Sequence, residues 1–254
     1  MDNNIKIPVP IEEHIKNKFT CQKCGKCCKV FGVNEYTNAP RALILYKWEK
    51  DKLIELAKKH NKKIDVSPLM FFFDEKTQTN VVITYQFNME NVKKCPFLFA
   101  NHCMIYEDRP LVCKAFPLTY INIDPPSINF AVYICKEAER IMNSNSDLSY
   151  STLCLKENLG EEMILNSLAL HQGGYESLFK DALELDKEGK IKLMNVLQEK
   201  VDYYLENYPI KDYLEFLEEY KLETKEQIAV WHCMISDSRG FQSMINDYEK
   251  ECKK

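Results

Sequence analysis

The chain has 254 residues, 45% of them hydrophobic and 28% charged, with a formal net charge of −4. That is enough apolar material for a real core, so metal is not needed for the whole chain to fold. Lysine and glutamate are interspersed without a basic stripe, which argues against a nucleic-acid backbone as partner, and the seven glycines form no dinucleotide or P-loop pattern.

Residues 1–20 read as a leader, in which Pro8 and Pro10 stop early regular structure and a short polar helix suits Glu12–Lys18. This segment has no apolar h-region, and runs such as Leu69–Phe73 are too short to span a bilayer. A cytoplasmic chain without membrane contact is expected. A dense run follows: Cys21, Cys24, Cys27 and Cys28, with Gly25 placed to take positive φ. Helical spacing over Asn38–His60, with Asn38 as N-cap and Pro40 in the first turn, predicts a helix. Val81–Phe87 reads as a strand from its β-branched and aromatic content.

The second cysteine block holds Cys95, Cys103 and Cys113. Asp108 suits the cap of a short helix that has Pro110 in its first turn and ends at Pro117. Leu118–Ile123 and Ile128–Ile134 read as strands around a proline turn, with Cys135 at the end of the second. The polar stretch Asn143–Ser151 is the expected boundary between a cysteine-rich domain at 1–145 and a helical domain at 146–254. Helices are predicted near Gly160–His171, Tyr175–Glu184, Lys187–Asn207, Lys211–Tyr220 and Lys225–Tyr248. The fold class is therefore α+β, with an all-α second domain that would dock a protein partner if the first is a structural zinc module.

Thiolates are soft and negatively charged, so four within eight residues repel one another unless a cation sits among them. Eleven cysteines is an odd number, and thiols stay reduced in the expected compartment, so metal is a better reading than disulfides. Adjacent Cys27 and Cys28 cannot easily reach one ion in relaxed geometry and more naturally feed two sites or one extended site. The eight candidate ligands are Cys21, Cys24, Cys27, Cys28, Cys95, Cys103, Cys113 and Cys135. Long irregular spacing, Pro96 beside Cys95 and nearby Phe97, Leu98 and Phe116 favour an iron–sulfur cluster over zinc. Cys154, Cys233 and Cys252 are isolated and read as small hydrophobes. His102 beside Cys103 is read as a surface or hydrogen-bonding residue. Arg109 is open between a structural role and stabilising the thiolates, and Tyr106 between core packing and function. The three-then-two cysteine spacing of a radical enzyme is absent, because position 31 is Phe.

The run Cys21–Cys28, with Cys95-Pro96-Phe97-Leu98, Cys103-Met104-Ile105-Tyr106, Arg109-Pro110, Cys113-Lys114-Ala115-Phe116-Pro117 and Cys135, resembles the CxxCxxCC (YkgJ-like) family of zinc- or iron-chelating cysteine-cluster proteins. The likeness covers about residues 19–136 and implies a metal site, without fixing a reaction. A related module in flagellin lysine-N-methylase-like proteins implies a side-chain-modifying enzyme as a further alternative, beside electron transfer, metal handling and a structural zinc module.

Overall fold

A computed structural model describes residues 19–29, 42–88, 94–122, 127–130, 135–144, 161–170, 174 and 176–236. In chain order its elements are β1 (Ala42–Leu45), α1 (Lys47–Lys59), β2 (Val66–Asp74), β3 (Thr79–Asn88), β4 (Leu98–Phe99), β5 (His102–Cys103), α2 (Leu111–Ala115), β6 (Leu118–Asn122), β7 (Ser127–Phe130) and α3 (Lys136–Ser144). There follow α4 (Glu161–Leu170), α5 (Ser177–Lys187), β8 (Leu193–Met194), a 3-10 turn at Gln198–Lys200, α6 (Val201–Asn207), β9 (Ile210–Asp212), α7 (Tyr213–Glu219) and α8 (Lys225–Ser236).

Strand β3 is the centre of the main sheet. Its residues are buried almost without interruption, as expected of a strand covered on both faces. One edge pairs antiparallel with β2. The other is shared, with β1 antiparallel at Tyr85–Asn88 and β9 parallel at Asn80–Val82. β8 extends the sheet beyond β2, at Phe73 and Asp74. The predicted strand is thus present and longer than its apolar core.

Two expectations need correction. The helix predicted from Asn38 is a strand over Ala42–Leu45, and α1 starts only at Lys47. Pairing of Leu43, Ile44 and Leu45 with Phe87, Gln86 and Tyr85 overrides the local periodicity. Asn38 and Pro40 lie outside the described residues. The second correction concerns the C-terminal half, which is mainly helical but supplies β8 and β9 to the sheet. Helix α5 stops at Gly189, whose φ is +68. There Lys190 N–H reaches Leu185 O and Gly189 N–H reaches Asp186 O, both at 2.9 Å, the two bonds of a Schellman stop. This breaks the long helix expected over Lys187–Asn207.

The expected boundary at 145/146 borders residues outside the description, but the sheet and the larger core draw on both sides of it. That core joins Phe72, Val81 and Ile83 to Leu111, Leu178, Tyr213 and Phe216. Asp74 adds a polar tie: its carboxylate accepts from Lys192 N–H at 2.7 Å and Thr77 Oγ1 at 2.7 Å. A second core packs Leu53, Ala57, Val82 and Phe87 against Phe97, Leu98, Ile105 and the buried Cys95. The cysteine block is therefore built onto the sheet and α1. Strands β6 and β7 form the expected antiparallel hairpin, and α2 runs ahead of Pro117, whose peptide bond with Phe116 is cis. Helices and antiparallel strands mix throughout, which makes the fold α+β. Among the described residues no helix is long and apolar enough to cross a membrane.

Candidate metal centre

The first cysteine run is a loop pressed onto a small hairpin. Gly25 sits at φ +69, where a non-glycine residue is strained. Cys28 N–H bonds Gly25 O at 3.1 Å, and Lys29 N–H bonds Lys26 O at 2.9 Å. A Cβ on Gly25 would lie 3.0 Å from both Asn101 O and Leu98 Cδ1, so the glycine permits the close approach. The hairpin is β4–β5, with Leu98 opposite Cys103 and Phe99 opposite His102. Its two-residue connection, Ala100-Asn101, has positive φ at both positions, the twist that tight hairpins favour. Leu98 points inward, and Phe99 is 69% exposed. Cys95 N–H donates to Cys28 O at 2.8 Å and fastens the loop to the second block.

Cys113 lies in the short helix α2, with Pro110 at its N-cap. Asp108 does not cap this helix and instead pairs with Lys52 at 2.6 Å. The first helical N–H, on Leu111, donates to Glu49 Oε1 at 2.6 Å. Cys135 directly precedes α3, and Glu139 N–H bonds its carbonyl at 3.0 Å. It therefore heads a helix, where a strand end was expected.

Electrostatics couples some of the thiols. Cys27, Cys95, Cys103 and Cys113 each raise the ionisation cost of the others, and Cys27 is coupled to Cys28 as well. Cys135 instead feels Cys24 and Cys21. Cys27 Sγ and Cys28 Sγ stand 3.9 Å apart, and their shared hydrogen bond, with burial, pushes the Cys27 thiol far above its usual range. Burial pushes Cys95 up to about 11 and Cys113 higher still, with neighbouring thiols adding to it. Burial also raises Cys103 and Cys135. Neutral thiols are what a buried, crowded set holds without a cation.

Arg109 is the nearby positive charge, lowering Cys27, Cys103 and Cys113 against these effects. Its guanidinium lies 3.7 Å from the centre of the Tyr106 ring, and its Nε donates to Tyr106 O at 2.7 Å. Lys23 Nζ is 4.5 Å from the same ring centre, and the nearby Cys21 thiol adds to the burial that raises the Tyr106 hydroxyl. The two open readings of Arg109 therefore coexist: it closes the loop and faces the thiols. Tyr106 joins the two cysteine segments.

A family model described as CxxCxxCC, putative zinc- or iron-chelating domain, matches residues 20–146, which contain all eight candidate cysteines. The chain belongs to the CxxCxxCC family. No curated protein and no solved structure matches it.

The donor set suits the metals named for the CxxCxxCC family: soft thiols, of which Cys95 is buried, five are half-buried and Cys21 and Cys24 are exposed, beside the Arg109 guanidinium. Among the described residues no three His, Cys, Asp or Glu groups already converge as a finished ligand set, so metal would have to draw the sulfurs inward. His102 is exposed, and its Nδ1 lies 2.8 Å from Ala100 O, which ties it to the hairpin turn. Cys154 and Cys252, and the Cys233 side chain, lie outside the description. Sequence reasoning missed Glu49. Its only signal was a glutamate three residues after Tyr46, a capping spacing that lacks the usual Ser or Thr.

Proposed function

We propose that this chain is a cytoplasmic metal–thiolate protein that carries iron–sulfur on two cysteine sets and works in electron transfer or metal handling. The inner set is Cys27, Cys95, Cys103 and Cys113. The remaining thiols, Cys21, Cys24, Cys28 and Cys135, are assigned to an outer set, with Cys28 beside Cys27 where the two sets adjoin. What supports this reading is that the inner four, from separate segments of the chain, lie near enough to raise one another's ionisation cost, with Cys95 N–H bonded to Cys28 O at 2.8 Å to fasten the first run to the second block. Irregular ligand spacing and the apolar cover of Phe97, Leu98 and Ile105 favour a cluster. Exposed Cys21 and Cys24 supply an edge through which an electron or a metal ion can pass.

A zinc reading has its own support. The 3.9 Å between Cys27 and Cys28 is close to the sulfur–sulfur edge of about 3.8 Å that zinc–sulfur bonds of ~2.3 Å would give a tetrahedron. Anaerobic purification followed by iron, zinc and acid-labile sulfide analysis separates the two. A cluster gives iron with matching sulfide and absorbance near about 400 nm that dithionite bleaches. Stoichiometric zinc without iron or sulfide replaces the first reading with the second. Absence of every metal removes both. Replacing Cys113 or Cys135 by Ser should each remove the metal of one set and spare the other. Loss of all metal from either variant would mean a single shared centre.

A further inference from the structure

Glu49 is 3% exposed, and among the described residues its carboxylate forms no ion pair. Lys114 acts on it only at a distance, and burial pushes its carboxyl up to about 7. A buried carboxylate without a direct cationic partner is costly, so its two hydrogen bonds matter. Oε2 accepts from Tyr46 N–H at 3.0 Å, at the start of α1, and Oε1 accepts from Leu111 N–H at 2.6 Å.

The second bond reaches across 62 residues. It lands on the first turn of α2, a five-residue helix whose N-cap, Pro110, provides no side-chain cap. A helix that short does not hold itself. Cys113 sits in its middle, and Arg109 lies just upstream, facing three thiols of the inner set. The start of α1 is anchored in turn, because the Tyr46 hydroxyl donates to Leu170 O at 2.7 Å. Leu111 also packs α2 onto the larger core beside Leu170, and the Glu49 carboxylate adds a hydrogen-bonded tie from the first turn of α2 to the start of α1.

We infer that Glu49 is a positioning residue of the metal centre, a second-layer acceptor that fixes α2 and so aims the Cys113 sulfur into the inner set. The inference rests on the proposed ligand role of Cys113. Outer groups that orient ligands commonly affect metal affinity by ten- to a hundredfold. A glutamine in place of Glu49 keeps the size, but its NH2 cannot accept the second N–H, so one bond must fail.

The test is a double-mutant cycle on the full chain, stripped of metal anaerobically and titrated with Co2+ against a competing chelator. Glu49→Gln should weaken binding about ten- to a hundredfold and reduce thiolate-to-cobalt absorbance per bound ion. That loss should vanish in a Cys113→Ser background and persist in a Cys135→Ser background, since only Cys113 is aimed by Glu49. Equal losses in both backgrounds, or no loss, overturn the inference, because a general stabiliser would not discriminate between cysteines. If Glu49→Gln does not fold by circular dichroism, Glu49→Asp takes its place, retaining a shorter carboxylate that reaches one N–H; the same cycle then decides. A wild-type chain that binds no Co2+ overturns the metal reading itself. A wild type that binds Co2+ while the cycle shows no coupling to Cys113 overturns this inference alone.

Discussion

Replacing Gly25 by Ala probes how the first cysteine loop is seated. Two costs are separable. The left-handed backbone, φ +69, costs an alanine about 1 kcal/mol. The new methyl would also lie 3.0 Å from Asn101 O and 3.0 Å from Leu98 Cδ1. Leu98 can shift, but Asn101 belongs to a tight turn and its carbonyl cannot retreat freely, which adds about 1–3 kcal/mol of crowding. Gly189 is the matched control, with φ +68 and nothing within 4 Å of its would-be methyl. Gly189→Ala should therefore cost about 1 kcal/mol and Gly25→Ala about 2–4 kcal/mol. Urea denaturation of chelator-treated protein measures both. Metal content after anaerobic purification should fall only for Gly25→Ala, because the crowding lifts Cys24, Cys27 and Cys28 off the hairpin. Equal costs for the two variants, with metal retained in both, would refute the seating of the loop.

Burial raises the Glu49 carboxyl from an ordinary 4.5 to about 7, so between these values the folded chain keeps a proton that the unfolded chain has released. The stability due to this group is fully present below 4.5 and is lost as pH rises through 7, a change of roughly 3 kcal/mol. Denaturation of wild type and Glu49→Gln from pH 4.5 to 8 should show wild type losing this much relative to the variant; parallel curves would contradict it. Arg109→Gln removes the positive charge facing three thiols and the stack on Tyr106, so alkylation of metal-free Cys27, Cys103 and Cys113 should slow several-fold. An unchanged rate by mass spectrometry would rule out that electrostatic role. Lys23 and Lys26 are exposed beside the loop, and changing both to Glu should leave metal bound while shifting the reduction potential or weakening a partner. If neither moves, the loop face is not a working surface.

The strand at Thr79–Asn88, the hairpin of β6 and β7 and the positive φ of Gly25 were legible because each is encoded locally. β-branched runs, a proline-rich turn and a glycine between cysteines act within a few residues. β1 was hidden because Leu43, Ile44 and Leu45 fit a helical face equally well until β3 offers an edge. β8 and β9 have two and three residues, too few for any period, and exist through pairing with distant strands. The cysteines themselves stood out, but the grouping proposed for them did not. Cys27 is coupled both to the adjacent Cys28 and to Cys95 and Cys113, about 70 residues or more away. Glu49 was illegible, and Tyr106 stayed open between two readings, for the same reason: their partners are set by tertiary contact.

The late arrival of β9 bears on how the chain is made. Asn80 bonds Tyr204 O at 2.7 Å, 124 residues further along, and the neighbouring Val81 and Val82 pair with Lys211 and Asp212. On the ribosome every candidate thiol emerges while that edge of β3 still lacks its neighbour. Non-local pairings of this kind close last. The cysteine half is therefore fully synthesised while the sheet still lacks β8 and β9. Any metal that the chain takes up would have two windows, before that edge is sealed or after it. A fragment ending near residue 146 would stay permanently in the first, with its sheet edge open to other chains.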